Sequence, residues 1–260
     1  MKWFLTCLLF SSIFIKDVHA NSKIRICSGE AVAYPWLTGG GKGLSVTHIH
    51  LVEKILNMEF QITHLPWKRC QLKAKAGQFD AILGATYTHE RSQWGIFPES
   101  DFRMHSDSFV VFLRKDCSIK WEKKKFENVG KEQIGVLRGY SVGEDLKDAG
   151  HSVYSSFGST FEILKALNDG VLKVAVVSNY SAIKTLNDHP ELKKNIVRQE
   201  EIFKTTEHHL LFTKKFHSQN TDLVKKIWQA VAAVRKSPDY QKNEALYMKE
   251  LTKNTDLTNL

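Results

Sequence analysis

From Lys23 to Cys27 the chain alternates polar and apolar residues, the period of a half-buried strand. A glycine cluster, Gly39-Gly40-Gly41 with Gly43, marks a flexible loop. Across the following segment, Ser45 to Leu56, the residues Leu44, Ile49, Val52, Ile55 and Leu56 recur at helical spacing. The chain therefore opens as strand, loop, helix. Phe60 to Leu65 reads as a second strand, Trp67 to Ala76 as a helix closed by Gly77, and Asp80 to Gly84 as a third, apolar strand. Strands alternating with helices predict an α/β fold with a parallel, doubly wound sheet. In such sheets ligands bind beyond the carboxyl ends of the strands.

Ser108 to Leu113 is another strand, and the lysine-rich run from Arg114 to Asn128 reads as the exit from a first lobe. A second alternation then begins: a strand over 133–137, a loop at Gly139 into a helix ending near Gly150, and a short strand over 152–155. Thr160 to Leu167 predicts a helix stopped by Asp169-Gly170, and Val174 to Val177 a buried strand. His208 to Thr213 reads as a strand returning to the first lobe. A helix follows from Thr221 to Lys236, with Leu223, Ile227, Val231 and Val234 inward. Two lobes joined by crossing segments make a hinge and a cleft. The expected division is residues 1–20 as a leader, 21–113 with 206–260 as a discontinuous first lobe, and 114–205 as the second lobe.

The leader reading rests on Lys2, the apolar run from Phe4 to Ile15 and the small residues of Val18-His19-Ala20, the pattern of a cleaved secretory signal peptide. It implies a periplasmic protein. The chain has 260 residues, more than one ordinary core requires, which fits two lobes of roughly 100 residues each. Its net charge of +9 is spread over pairs such as Lys193-Lys194, Lys214-Lys215 and Lys225-Lys226, which reads as solvated helix faces rather than a nucleic-acid surface. Beyond the leader stand Cys27, Cys70 and Cys117. One disulfide with a thiol left over and three free thiols are both open, with Cys27–Cys70 the favoured pair. Neither these spacings nor His48 with His50, nor His208-His209, forms a metal signature, and no cofactor motif occurs.

The densest cluster of chemistry is Pro66-Trp67-Lys68-Arg69-Cys70, followed by Gly77, Asp80-Ala81, Gly84, Thr86, Thr88, Glu90, Arg91 and Phe97-Pro98. Its layout of helix, turn, buried strand and polar loop ending in an arginine suits an anion, because a guanidinium offers a planar fork of donors to a carboxylate. Together with Gly135-Val136-Leu137-Arg138-Gly139, this order of motifs resembles the family 3 extracellular solute-binding proteins of the polar amino-acid-binding type, in a branch with the PWKRC motif. The resemblance implies the two-lobed periplasmic-binding-protein fold, each lobe a doubly wound sheet flanked by helices, with the ligand cleft between them. By the same resemblance Arg91 grips a ligand carboxylate, helped by Thr86 and the backbone near Gly84, and an aromatic from Tyr34-Pro35-Trp36 packs on the ligand. Trp67 and Tyr87 are further candidates for that wall. The alternative for Arg91 is a surface pairing with Glu90 or Glu99.

The second lobe departs from the family. Members that bind ordinary amino acids carry an aspartate for the ligand ammonium; counting on from Lys173, that place falls on Ser178, beside Asn179. An unpaired ammonium in a closed cleft costs several kcal/mol, so weak binding of ordinary zwitterions is expected. Ser141, in the loop after Gly139, joins Ser178 as a candidate for specificity, and Arg138 points either into the cleft or at Glu144. The leading function is a monomeric, non-catalytic protein that closes over a small carboxylate-bearing solute and is read by a transporter permease or a membrane sensor. Two rivals stand beside it. One is an enzyme resembling cyclohexadienyl dehydratases, with Glu30 or Glu162 as its acid. The other is a basic module for anionic polymers.

Overall fold

The structure of the chain, a computed structural model, describes residues 23–252. The segment 1–20 expected as a leader, and the end of the expected first lobe up to residue 260, lie outside that range. Strand β1 (Ile24–Gly29) takes β2 (Phe60–Leu65) on one side and β3 (Ala81–Ala85) on the other, all parallel, with Ile26 opposite Ile62 and Ala81. Helices α1 (Leu44–Leu56) and α2 (Trp67–Lys75) make the two crossovers. Leu44, Ile49 and Val52 of α1 are buried as the spacing predicts, whereas Ile55 faces solvent. After α3 (His89–Ser92) and the short β4 (Gly95–Ile96), the chain enters β5 (His105–Arg114).

The polar run after β5 contains a hairpin of β6 (Lys120–Glu122) and β7 (Lys125–Glu127) that periodicity did not predict. Trp121 packs on Phe126 and Phe203 at centroid distances of 4.6 and 5.3 Å. No glycine marks this turn; Lys123 and Lys124 take positive φ themselves. The second alternation follows as β8 (Ile134–Leu137), α4 (Val142–Asp148), β9 (Val153–Phe157), α5 (Thr160–Asn168), β10 (Val174–Ser178) and α6 (Asn179–Asp188). An 18-residue strand, β11 (Ile196–Thr213), returns, and α7 (Lys214–Gln219), α8 (Thr221–Arg235) and α9 (Pro238–Thr252) close the described chain.

The strand order is β2-β1-β3-β11-β5-β10-β8-β9, with β4 beside β11. The sheet is mixed rather than wholly parallel, because β5 and β11 run antiparallel to their neighbours. Each runs back against the crossover strands beside it. The upper end of β11, from His209, pairs with β3, while its lower part, up to His208, pairs with β5. The bulged stretch from Arg198 to Lys204 carries mostly polar residues, which is why periodicity reveals only the final residues of this strand.

Two core groups result. Around β1 and β3, Ile26, Ile49, Leu83 and Phe212 meet Ile227, Trp228 and Val231 of α8. Around β5 the pleat divides the residues between faces: Val110 and Phe112 pack with Ile163, Leu164 and Ala182, while Phe109 and Val111 pack with Val136, Val142 and Leu146. The strand order reverses between β1 and β3 in one group and between β8 and β10 in the other, and at such switch points strand ends part to leave a crevice.

Cys27 of β1 and Cys70 of α2 form a disulfide with a Cα separation of 5.7 Å, both side chains fully buried, and Cys117 remains a thiol. The bond closes a span of 43 residues. On the chain-entropy account such a link is worth about 3 to 4 kcal/mol. The double substitution Cys27→Ala/Cys70→Ala is expected to lower the unfolding free energy in urea by about that amount, and an unchanged midpoint would show that the bond contributes nothing.

Candidate functional site

A cavity of about 600 Å³ opens where the carboxyl ends of β1, β3, β8 and β10 face one another. On the first side, Gly84 at φ 76° bends the chain just before the end of β3 at Ala85. The Thr88 hydroxyl then accepts from the Arg91 amide at 3.1 Å, capping α3 and folding Arg91 back beneath the loop. Arg91 is only 2 % exposed. Its Nη1 donates to the carbonyl and the hydroxyl of Thr86, both at 2.7 Å, and its Nη2 donates to the carbonyl of Gly139 at 3.0 Å. The Nε is buried with no partner in the structure. Burial pushes the guanidinium's pKa down, against the opposing charges of Glu144 and Glu90.

Gly139 is the meeting point of the two sides. Its carbonyl also accepts from Trp67 Nε1 at 3.0 Å and Gln71 Nε2 at 3.2 Å. Only glycine suits the position: φ is 75°, and an added Cβ would lie 3.3 Å from the Trp67 ring. Alongside it, the Thr86 hydroxyl donates to Ser141 Oγ at 3.0 Å.

The floor comes from β5, whose alternate residues His105, Asp107 and Phe109 line the cavity. Asp107 is 5 % exposed, and burial pushes its carboxyl up to about 6, against hydrogen bonds from Ser178 and the Ser108 amide. Tyr140 is held up at about 12, by burial first and by the charge of Asp107 second, while Arg91 acts in the other direction. Tyr140 thus feels both charged groups. His105 lies between the rings of Trp36, at 3.7 Å, and His208, at 4.6 Å, both nearly parallel to it. Burial holds His105 well below its ordinary pKa and His208 down at about 4. His208 Nδ1 donates to the Gly84 carbonyl at 3.0 Å. Among the described residues no cluster of His, Cys, Asp or Glu is placed to hold a metal ion.

Eight of the residues singled out from sequence meet at this cavity: Trp36, Trp67, Gly84, Thr86, Arg91, Arg138, Ser141 and Ser178. Three do not. Tyr34 is buried elsewhere, its hydroxyl donating to the Tyr247 carbonyl of α9 at 2.7 Å. Tyr87 is 62 % exposed and sets its ring against Phe97. Asn179 opens α6, where its side-chain oxygen accepts from Arg198 Nε at 2.9 Å. Arg138 donates to the Ser156 carbonyl at 2.6 Å rather than pairing with Glu144. Of the two candidate acids, Glu30 stands at the exposed mouth of the cavity, and Glu162 accepts from the Gly158 amide at the start of α5. Sequence reasoning missed Asp107, His105 and Tyr140 as site residues, and considered His208 only as a metal ligand. The signal was the alternation His105-Ser106-Asp107-Ser108-Phe109, which continues strand period ahead of the apolar run.

The sequence model of the bacterial extracellular solute-binding proteins, family 3, matches residues 30–250. No curated protein matches the chain. Among solved structures, a histidine kinase sensor domain with similarity to periplasmic binding proteins superposes with a TM-score of 0.73 at 15% identity, covering 87% of this chain and 96% of its own. A mutant of ArgBP from T. maritima gives 0.71 at 16% identity, covering 88% and 96%. The arginine-, lysine-, histidine-binding protein ArtJ from Geobacillus stearothermophilus gives 0.68 at 18%, covering 90% and 97%. At these identities the likeness establishes the shared fold.

The Asp107 carboxyl holds its proton more tightly folded than unfolded. Its favourable contribution is therefore complete below pH 3.8 and lost as pH rises through about 6. Asp107→Asn is expected to raise the unfolding free energy at pH 8 by on the order of 2 kcal/mol, a gain that fades towards pH 4. Urea titrations at the two pH values measure it, and a destabilised variant at pH 8 would contradict the burial argument.

Proposed function

The chain belongs to the bacterial extracellular solute-binding proteins, family 3, and from that membership we propose that it is a periplasmic receptor that closes over a small solute carrying both an amine and a carboxylate and delivers it to a membrane transporter. The observation that carries this reading is the buried carboxylate of Asp107, which pairs with no lysine or arginine among the described residues and faces the same cavity as Ser178. Where the family places an aspartate after β10 this chain has serine, and Asp107 on the neighbouring strand brings an acid to that serine, since Phe109 is the residue paired with Ser178. An ammonium there gains a charge-assisted partner in a site from which closure excludes water. Positive charge for the carboxylate is available at the mouth, at Lys68, Arg69 and Arg138.

In this reading the lobes are residues 21–113 with 206–260, and 114–205, and they hinge where β5 and β11 pass between them. A solute shifts the open and closed populations by its differential affinity for the closed form. A second reading, a ligand-sensing subunit for a membrane receptor, is favoured by the likeness to a histidine kinase sensor domain. The two differ in the partner that reads the closed form, not in the cleft.

Calorimetry at pH 7.5 is expected to give heat with amino acids or related amino carboxylates and none with dicarboxylates. The bound solute should be recovered unchanged. Asp107→Asn should weaken binding at least about tenfold, and wild-type affinity should fall as pH is lowered through 6, where Asp107 takes up its proton. Dicarboxylate binding that is indifferent to Asp107→Asn would overturn the proposal.

A further inference from the structure

The cavity is larger than an ordinary amino acid needs. At about 30 Å³ per water, 600 Å³ holds on the order of twenty water-sized groups. Its walls are largely apolar, with Leu83, Leu137 and Phe157 among them. The floor ends in the carboxylate of Asp107, and the mouth carries Lys68, Arg69 and Arg138 against one acid, Glu30. Among the described residues none of these three cations forms an ion pair. Lys68 and Arg69 also lie in the first turn of α2, which has no acidic residue and no side-chain cap, so its amides add to the positive field.

Arg91, by contrast, is already occupied. Both hydrogens of Nη1 go to Thr86, Nη2 reaches across to Gly139, and Nε is sealed from solvent. In this arrangement it cannot offer the two parallel donors that a carboxylate takes from a guanidinium.

Building on the reading of Asp107 as the amine site, we propose that the cavity is shaped for an elongated solute, with an amine at Asp107, an apolar middle, and an anionic end held at the mouth by Lys68, Arg69 and Arg138, while Arg91 braces the two lobes without gripping the solute. The closed cleft then disfavours compact α-amino acids, because with the amine at Asp107 their carboxylate meets only Arg91, whose Nη1 donors are already taken by Thr86. It excludes plain amines less strongly, because these forgo only the contacts at the mouth.

The experiment uses the protein without its leader and four probes: epsilon-aminocaproate, omega-aminooctanoate, hexylamine and L-alanine, with affinities from calorimetry at low salt. At least one of the two elongated amino carboxylates should bind more tightly than both hexylamine and L-alanine. The triple substitution Lys68→Ala/Arg69→Ala/Arg138→Ala should weaken that probe about tenfold while changing hexylamine less than about twofold. Asp107→Asn should weaken both. Arg91→Lys should lower the melting temperature of the empty protein and leave the preference among the probes unchanged.

L-alanine binding as tightly as either elongated probe, with dependence on Asp107, would overturn this inference and leave the amine site standing. Tight binding of an elongated probe that ignores the triple substitution would overturn the assignment of the mouth. Silence of every amine, together with an Asp107→Asn protein indistinguishable from wild type in all four titrations, would overturn both the inference and the reading on which it rests.

Discussion

Asp107 keeps a carboxylate in a cavity with largely apolar walls, and among the described residues no lysine or arginine pairs with it. An ionised group taken out of water loses several kcal/mol of solvation unless a counter-charge meets it. Its neighbours only lessen that loss: the Ser108 amide donates at 2.8 Å and Ser178 adds a hydrogen bond, yet the proton affinity still rises. The imidazoles nearby do not help, since burial holds His105 and His208 neutral near pH 7. A charge left this exposed to desolvation inside a stable fold is a place where stability and function pull apart.

The two sides of the cleft are joined by a different device. The Gly139 carbonyl accepts from Arg91, Trp67 and Gln71, and the Thr86 hydroxyl passes the network on to Ser141. Three donors converge on one oxygen because the loop after β8 places a glycine at positive φ against the indole of Trp67. Arginine suits the opposite position better than lysine. A planar fork reaches Thr86 and Gly139 at once from a buried stem, whereas a lysine ammonium in such surroundings tends to lose its proton.

The parts of this arrangement that follow a regular period were legible in the sequence. The strands β1, β2, β3, β8 and β10 and the helices between them are short amphipathic or apolar runs punctuated by glycine. The hairpin at Trp121 and Phe126 was not legible, because its three-residue strands are too short to show alternation and its turn rests on lysines. Helix α9 was missed since it buries only Tyr240 and Leu251. Asp107 was missed for a different reason. Its role depends on the antiparallel pairing of β5 with β10, a non-local contact that brings Ser178 beside it. Tyr34 and Tyr87 illustrate the converse, since aromatics beside a loop motif pack where space allows, against Tyr247 and Phe97.

Placing the acid on a crossing strand couples ligand chemistry to closure. In the proposed cycle an open cleft hydrates Asp107 and leaves Gly139 apart from Arg91. Closing the empty protein gains the hydrogen bonds at Gly139 but strands a carboxylate without water, so above pH 6 the two terms oppose each other. A solute ammonium removes the second term and leaves the first, which is the differential affinity that a population shift requires. Protonation of Asp107 removes the same term without any solute, so acid favours closure of the empty protein while weakening its hold on an amine. The buried charge therefore works as negative control over empty closure, and the Arg91 brace supplies the closing force that it restrains.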